Sequence, residues 1–191
     1  MRASDTVVLV DIHDHAQGVV GKVEAHTGKG LLHRAISVLL YRPAGGRFEV
    51  LLQRRSAEKP LWPDVWSNTV CSHPRVGESP RACAVRRLRE EMGIHIAPGA
   101  LVHVFTFRYR ATYRRGQAEH ELDHVFVGEW TGNPVVNAHE VSEFHWEPWD
   151  GVLRDMVRIP ESYAPWFRLM TGRDVMRRIF NGMPGGRSGR A

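Results

Sequence analysis

Two cysteines in 191 residues are too few for a disulfide framework, and they point to a reducing, cytoplasmic setting. Long apolar runs are also missing. The longest, such as Val7-Val8-Leu9-Val10, fall far short of the ~20 residues a bilayer-crossing helix needs. Asp5 and Asp11 bracket that run, so no signal peptide is expected. The chain has no internal repeat, and one domain over residues 1–181 is expected, with 182–191 (GMPGGRSGRA) as a disordered tail. A concentrated basic run is absent as well. The net charge of +5 is spread over short groups such as Arg54-Arg55, Arg86-Arg87, Arg114-Arg115 and Arg177-Arg178. The basic balance suggests an anionic partner, whether nucleic acid, a membrane surface or a phosphorylated small molecule, and without a zinc-finger spacing or an RNA-binding signature the pattern argues against nucleic acid. No membrane partner is expected.

What is present is ordinary for a globular protein: 42% hydrophobic and 25% charged residues. Residues 6–11 (TVVLVD), 34–41 (RAISVLLY) and 48–53 (FEVLLQ) are rich in β-branched and apolar side chains and are expected as strands, the last two joined by a turn at 43–46 (PAGG). Residues 101–113 and 121–130 predict two more strands around Arg115-Gly116, and 141–146 a short one. Between the groups, 79–92 (SPRACAVRRLREEM) predicts a helix. Ser79 can cap it, Pro80 suits its first turn, Gly93 ends it, and Ala82, Val85, Leu88 and Met92 form the expected buried stripe. Residues 148–157 and 163–181 have helical character. Strands before and after one helix, with helices at the end, give an α/β (α+β) fold in α/β/α layers.

Cys71, in NTVCSHP, could be a core residue, half of a disulfide, a zinc ligand or a reactive thiol. On the helix, Arg86 and Glu90 are four apart, as are Arg87 and Glu91, and face-to-face ion pairs alone would explain them. The wider spacing suggests more: Glu78, then Arg86, Leu88, Glu90, Glu91, Gly93 and Ile94 resembles the Nudix box. In that family a loop–helix–loop presents glutamates to divalent metals on a diphosphate. Two positions depart from the box. Ser72 stands at its opening glycine, and Arg87 stands where a metal-binding glutamate is expected. A cation there disfavours hydrolysis and suits direct contact with a diphosphate.

His26 in EAHTGKG, His33 in LLHRAIS, His73 in VCSHP, and Glu119 and Glu121 in EHELD are further candidate ligands, each with a bland reading as a solvated or hydrogen-bonded side chain. Together, AHT at 25–27, LHRAIS at 32–37, QRRS at 53–56, KPLWPDVWSNTVCSHP at 59–74, RRLREEMGI at 86–94, FRYRA at 107–111, EHE at 119–121 and APWF at 164–167 resemble the type 1 isopentenyl-diphosphate isomerases. The likeness runs from about Val7 to Met170. It implies a Nudix-type α/β/α sandwich with a mixed sheet and added C-terminal helices.

The resemblance also implies roles. His26, His33, His73, Glu119 and Glu121 would coordinate one divalent transition metal, manganese or zinc by donor type. Glu91, with the main-chain carbonyl of Cys71, would hold a separate Mg²⁺ on the substrate. Lys22, Arg55, Lys59 and Arg87 would contact diphosphate oxygens, and the π face of Trp166 would shield a cationic intermediate. Cys71 and Glu121 would carry protons on opposite faces of the alkene, with Tyr109 hydrogen-bonded nearby. The substrate would be an allylic or homoallylic diphosphate and the protein a monomer or homodimer. Cys83, between Ala82 and Ala84, is expected in the core or half-buried. A nucleotide pyrophosphohydrolase and an inactive Nudix-like binding module are the rival readings; Arg87 argues against the first and the five-ligand set against the second.

Overall fold

The structure, a computed structural model, describes residues 6–114 and 116–182. Its hub is β3 (His33–Ala44), where alternate side chains go to opposite faces, as the period of a strand requires. Leu39 enters one apolar core while Val38 and Leu40 enter the other. β3 turns at Gly45-Gly46 into β4 (Arg47–Arg55), pairing antiparallel from Tyr41–Val50 to Ala44–Arg47. Both glycines have positive φ, the conformation that such a turn demands.

The long hairpin β7 (Val102–Arg114) and β8 (Gln117–Glu129) docks on the other side of β3. There β8 runs parallel to it, from His33–Glu121 to Tyr41–Glu129. β9 (Val141–Pro148) extends the sheet beyond β4. Short strands complete it: β1 (Thr6–Val10) and β2 (Ala16–Gly21) at one end, β5 (Trp66–Ser67) against β4, and β6 (Val70–Ser72) against β3. Parallel and antiparallel neighbours make the sheet mixed, as expected.

Helix α2 (Pro80–Met92) covers one face. The Ser79 hydroxyl accepts the Ala82 N–H at 3.2 Å, and Gly93 closes the helix in the left-handed conformation, its N–H donating to the Arg89 carbonyl. The buried stripe differs from the expected one. Cys83, Ala84, Leu88, Glu91 and Met92 face the sheet, Ala82 is exposed and Val85 half-buried. The side chains at 83 and 84 are small and let the helix sit close to β6, so the first turns bury these two positions, while Leu88 and Met92 are buried as expected.

The opposite face is covered by α3 (Trp149–Arg158), α4 (Pro165–Thr171) and α5 (Asp174–Gly182). The expected helix over 163–181 is two helices, broken at Gly172 and Arg173. A four-residue helix, α1 (Lys22–Ala25), follows β2. The expected tail, apart from Gly182, lies outside the described residues, as does Arg115 in the hairpin turn. Among the described residues, no helix is long and apolar enough to cross a membrane.

Candidate active site

The register of three strands sets one wall of the site. His33 pairs with Glu121 across β3 and β8, and Glu121 pairs with Tyr109 across β8 and β7. These three side chains therefore sit side by side on one sheet face. Cys71 joins that face from β6, opposite Ser37 of β3, and His73 follows two residues later, just past the end of the strand. His26 arrives from the end of α1, which is stitched to the hairpin tip by Ala118 N–H donating to the His26 carbonyl and Gly28 N–H to that of Gly116. Gly30 makes this docking possible: a Cβ there would lie 3.0 Å from the Ala118 carbonyl, in a backbone with φ +72°.

His26, His33, His73 and Glu121 converge, each offering one donor atom, with all four atoms within 4.8 Å of one another. Nδ1 of His26 donates to the Lys22 carbonyl at 2.6 Å and Nδ1 of His33 to that of Leu31 at 2.7 Å. These bonds fix the tautomers and leave both Nε2 lone pairs pointing inward. Nε2 of His33 and Nε2 of His73 are 3.1 Å apart, close to the ~3.0–3.4 Å expected of two nitrogens sharing one ion at ~2.1 Å. Burial pushes the pKa of His73 down to about 3 against the pull of Glu121, so its ring is neutral and able to ligate. Two buried imidazoles and a half-buried one, together with a carboxylate, fit a divalent ion.

Glu119, the fifth expected ligand, stands outside that group and lies against the Tyr109 hydroxyl at 2.9 Å. Glu121 divides its oxygens. Oε1 faces the histidines, 2.9 Å from Nε2 of His73, and Oε2 accepts from the Tyr109 hydroxyl at 2.6 Å. Burial alone would raise the Glu121 carboxyl, but the three histidines hold it well below the usual range. Glu119 is pushed the other way, by burial and then by the Glu121 charge. Both glutamates are buried, so the solvated reading of EHE does not hold.

The cations gather at the other end of the same cavity, a narrow space of about 60 Å³ lined in part by Lys22, Arg55, Lys59, Cys71, Arg87 and Trp166. Arg55 gives Nε and Nη2 to the carbonyls of Trp62 and Leu61, each at 2.9 Å, and brings Nη1 within 3.5 Å of the Cys71 sulfur. Its guanidinium lies 5.1 Å from the centroid of the Trp166 ring, whose indole N–H is anchored by Ser67 and Asn68. Lys22 is exposed overall, yet its ammonium pKa is pushed down, first by desolvation and then by Lys59, Arg87 and Arg55. Burial pushes the Cys71 thiol up to about 12, Arg55 opposing and Glu91 and Glu119 assisting. It is a free thiol, as is Cys83, which lies in the core under α2 with no exposure.

Glu91 is buried behind this cavity and bound by Arg87 through Nε at 2.9 Å and Nη2 at 2.7 Å, with Gln53 at 3.4 Å. Glu78 takes Arg86 in a two-pronged pair at 2.7 and 2.8 Å.

Two residues here have no signal in the sequence. Glu140, in the loop before β9, bridges Lys59 and Arg87. Asp123, two residues past Glu121 on the same face, accepts from the Ser37 hydroxyl at 2.8 Å, and its other oxygen is buried without a partner among the described residues. Burial and the Glu121 charge raise its pKa well above the usual range. Acidic residues carry no spacing that would mark such pairs. The partners of Glu140 are 81 and 53 residues away in the chain.

Residues 31–167 match the NUDIX domain. Over 178 residues the chain is 41% identical to the "Isopentenyl-diphosphate Delta-isomerase 2" of Aromatoleum aromaticum, covering 93% of this chain and 90% of that protein. Over 167 residues it is 43% identical to the "Isopentenyl-diphosphate Delta-isomerase" of Pectobacterium atrosepticum, covering 87% and 89%. Among solved structures, a Deinococcus radiodurans protein shares the fold, with a TM-score of 0.69 at 17% identity over 90% of this chain and 98% of that one.

Proposed function

Because the chain belongs to the isopentenyl-diphosphate Delta-isomerase family of NUDIX-domain proteins, we propose that it interconverts isopentenyl diphosphate and dimethylallyl diphosphate. The observation that carries the reading is a thiol and a hydroxyl-bonded carboxylate, Cys71 and Glu121, lining the cavity that also collects the cations. Moving the double bond requires one proton added to the terminal CH₂ and one taken from C2. Two proton carriers suffice, and no water needs activation. Burial favours the protonated form of the Cys71 thiol, whereas the neighbouring histidines favour the ionised form of Glu121, so the two carriers are biased in opposite directions. The Tyr109 hydroxyl steadies Glu121 Oε2, the oxygen turned away from the histidines.

His26, His33, His73 and Glu121, joined by Glu119, would hold one manganese or zinc ion, which when bound supplies positive charge beside the Glu121 carboxylate. Glu91, with the Cys71 carbonyl, would hold Mg²⁺ on the diphosphate. Lys22, Arg55, Lys59 and Arg87 offer N–H donors to its oxygens, and Arg55 also reaches the Cys71 sulfur through Nη1. Trp166 closes the apolar side and helps exclude water from a tertiary cation. Small-molecule sites usually span ~300–1,000 Å³, so substrate entry requires the walls of this narrow cavity to part.

The test is incubation of the purified protein with isopentenyl diphosphate and Mg²⁺ in D₂O. Dimethylallyl diphosphate carrying deuterium in a methyl group, with no phosphate release, is the expected outcome. Unlabelled product or rapid phosphate release would sink the isomerase reading.

A further inference from the structure

Four like charges point at one small cavity, and something must keep them there before an anion arrives. Lys22, Arg55, Lys59 and Arg87 all line it. Arg55 is tied to two backbone carbonyls, and Arg87 is tied along α2 to Glu90 and Glu91. Lys59 has neither kind of tether. It lies in an irregular segment, and among the described residues its one carboxylate partner is Glu140. The other oxygen of Glu140 reaches Nη2 of Arg87 at 3.0 Å. We propose that Glu140 is a positioning residue of the diphosphate subsite, holding Lys59 and Arg87 at a set separation; this rests on the reading above that these cations take the diphosphate.

The backbone around Glu140 is built for that task. Its carbonyl accepts the Ser56 N–H at 3.1 Å, fixing the strand of chain that leads to Lys59. Its own N–H donates to the Asn137 carbonyl at 2.9 Å, and the Asn137 N–H donates to the carbonyl of Glu91 at 2.8 Å. One short segment thus joins the Lys59 loop to the end of the helix that carries Arg87 and Glu91. Glu140 does not use up the cations it holds. An ammonium has three N–H donors and a guanidinium five, and Glu140 takes one from Lys59 and one from Arg87. Lys59 therefore keeps two donors for phosphate oxygens. Ordering a lysine side chain costs entropy, and a carboxylate that meets this cost before binding leaves less to be lost when the ligand arrives.

The experiment is calorimetric titration of inorganic pyrophosphate with Mg²⁺ into the wild type, Glu140→Gln and Glu140→Ala, alongside steady-state kinetics with isopentenyl diphosphate. Glu140→Ala is expected to weaken pyrophosphate binding about tenfold or more and to raise KM by a similar factor, with kcat within about threefold. Glu140→Gln, which keeps an acceptor oxygen but no charge, should fall between and guards against a folding defect in the alanine variant. Metal content at the histidines should be that of the wild type in both. Pyrophosphate binding that is unchanged or tighter in both variants would overturn the proposal, since Glu140 would then be inert or merely a competitor. A loss confined to kcat would overturn it too. A protein that binds pyrophosphate in this pattern but does not turn over isopentenyl diphosphate would refute the isomerase reading and leave the role of Glu140 standing.

Discussion

Cys71 and Cys83 are chemically alike in isolation, and their surroundings separate them. Burial pushes both thiols up to about 12, so neither is a thiolate at neutral pH. Only Cys71 faces the cavity; Cys83 is packed under α2 with Leu88 and Met92. Alkylation of Cys71 should therefore accelerate about tenfold per pH unit from neutrality upward, because only the growing thiolate fraction reacts. Cys83 should label far more slowly at every pH. Mass spectrometry of iodoacetamide-treated protein reads both rates, and a plateau for Cys71 near pH 7 would contradict the raised thiol. Cys71→Ala should lower isomerisation by ~10²–10⁴-fold or more, the usual worth of a proton carrier, while Cys71→Ser retains a trace. A fully active Cys71→Ala enzyme would remove the thiol from the mechanism.

The C-terminal end of α2 shows how an element transmits its geometry to the site. Gly93 has φ +65°, and a Cβ there would lie 2.6 Å from the Val135 carbonyl. That contact is close because Val135 N–H donates to the Met92 carbonyl at 2.9 Å, docking the 135–140 segment on the helix end. Gly93→Ala should destabilise by more than ~1 kcal/mol, through both strain and the displaced segment. Gly99→Ala, in open space at ordinary φ, should stay within ~0.5 kcal/mol. Denaturant midpoints decide it, and equal losses at both glycines would mean the contact is unimportant. This helix, like β3, β4 and the β7–β8 hairpin, was legible in the sequence because caps and periodic apolar residues mark it. β2 was not, since AQGVVG is mostly exposed and, among the described residues, pairs only with β1. The segment Ser67–Thr69 was illegible for a different reason: its polar side chains are buried and satisfied within the fold, Ser67 donating to Oδ1 of Asn68, Asn68 to the Val38 and Val70 carbonyls and Thr69 to that of Leu51. The histidines and EHE were legible through a family likeness, whereas the Glu140 bridge depends on tertiary contacts that no local pattern encodes.

Across the whole molecule, the shifted carboxyls fall into two sets whose contributions to stability run in opposite directions with pH. Burial opposes ionisation of Glu140, but Lys59 and Arg87 outweigh it and hold its pKa at about 2. A depressed carboxyl stabilises the folded state above its unfolded value of ~4.3, and that contribution fades as pH falls toward 2. Asp123 behaves in reverse, because burial and the Glu121 charge raise it well above the ordinary range. Its contribution is complete below the unfolded value of ~3.9 and is lost as pH rises, since the unfolded chain then ionises a group that the folded protein keeps neutral. Above the unfolded value, keeping the Asp123 proton in the fold costs stability, increasingly so until the folded-state pKa is passed. Asp123→Asn keeps an oxygen for the Ser37 hydroxyl and removes the titration. Relative to wild type, this variant should gain up to ~1.4 kcal/mol per pH unit above about pH 4, until the folded-state pKa is reached. Comparing the two proteins at each pH cancels the titrations they share, the histidines included. Unfolding free energies from chelator-treated samples between pH 4 and 8 measure the gap. A gap that stays constant across that range would show that Asp123 is ionised in the folded protein, and would move the buried proton elsewhere in the site.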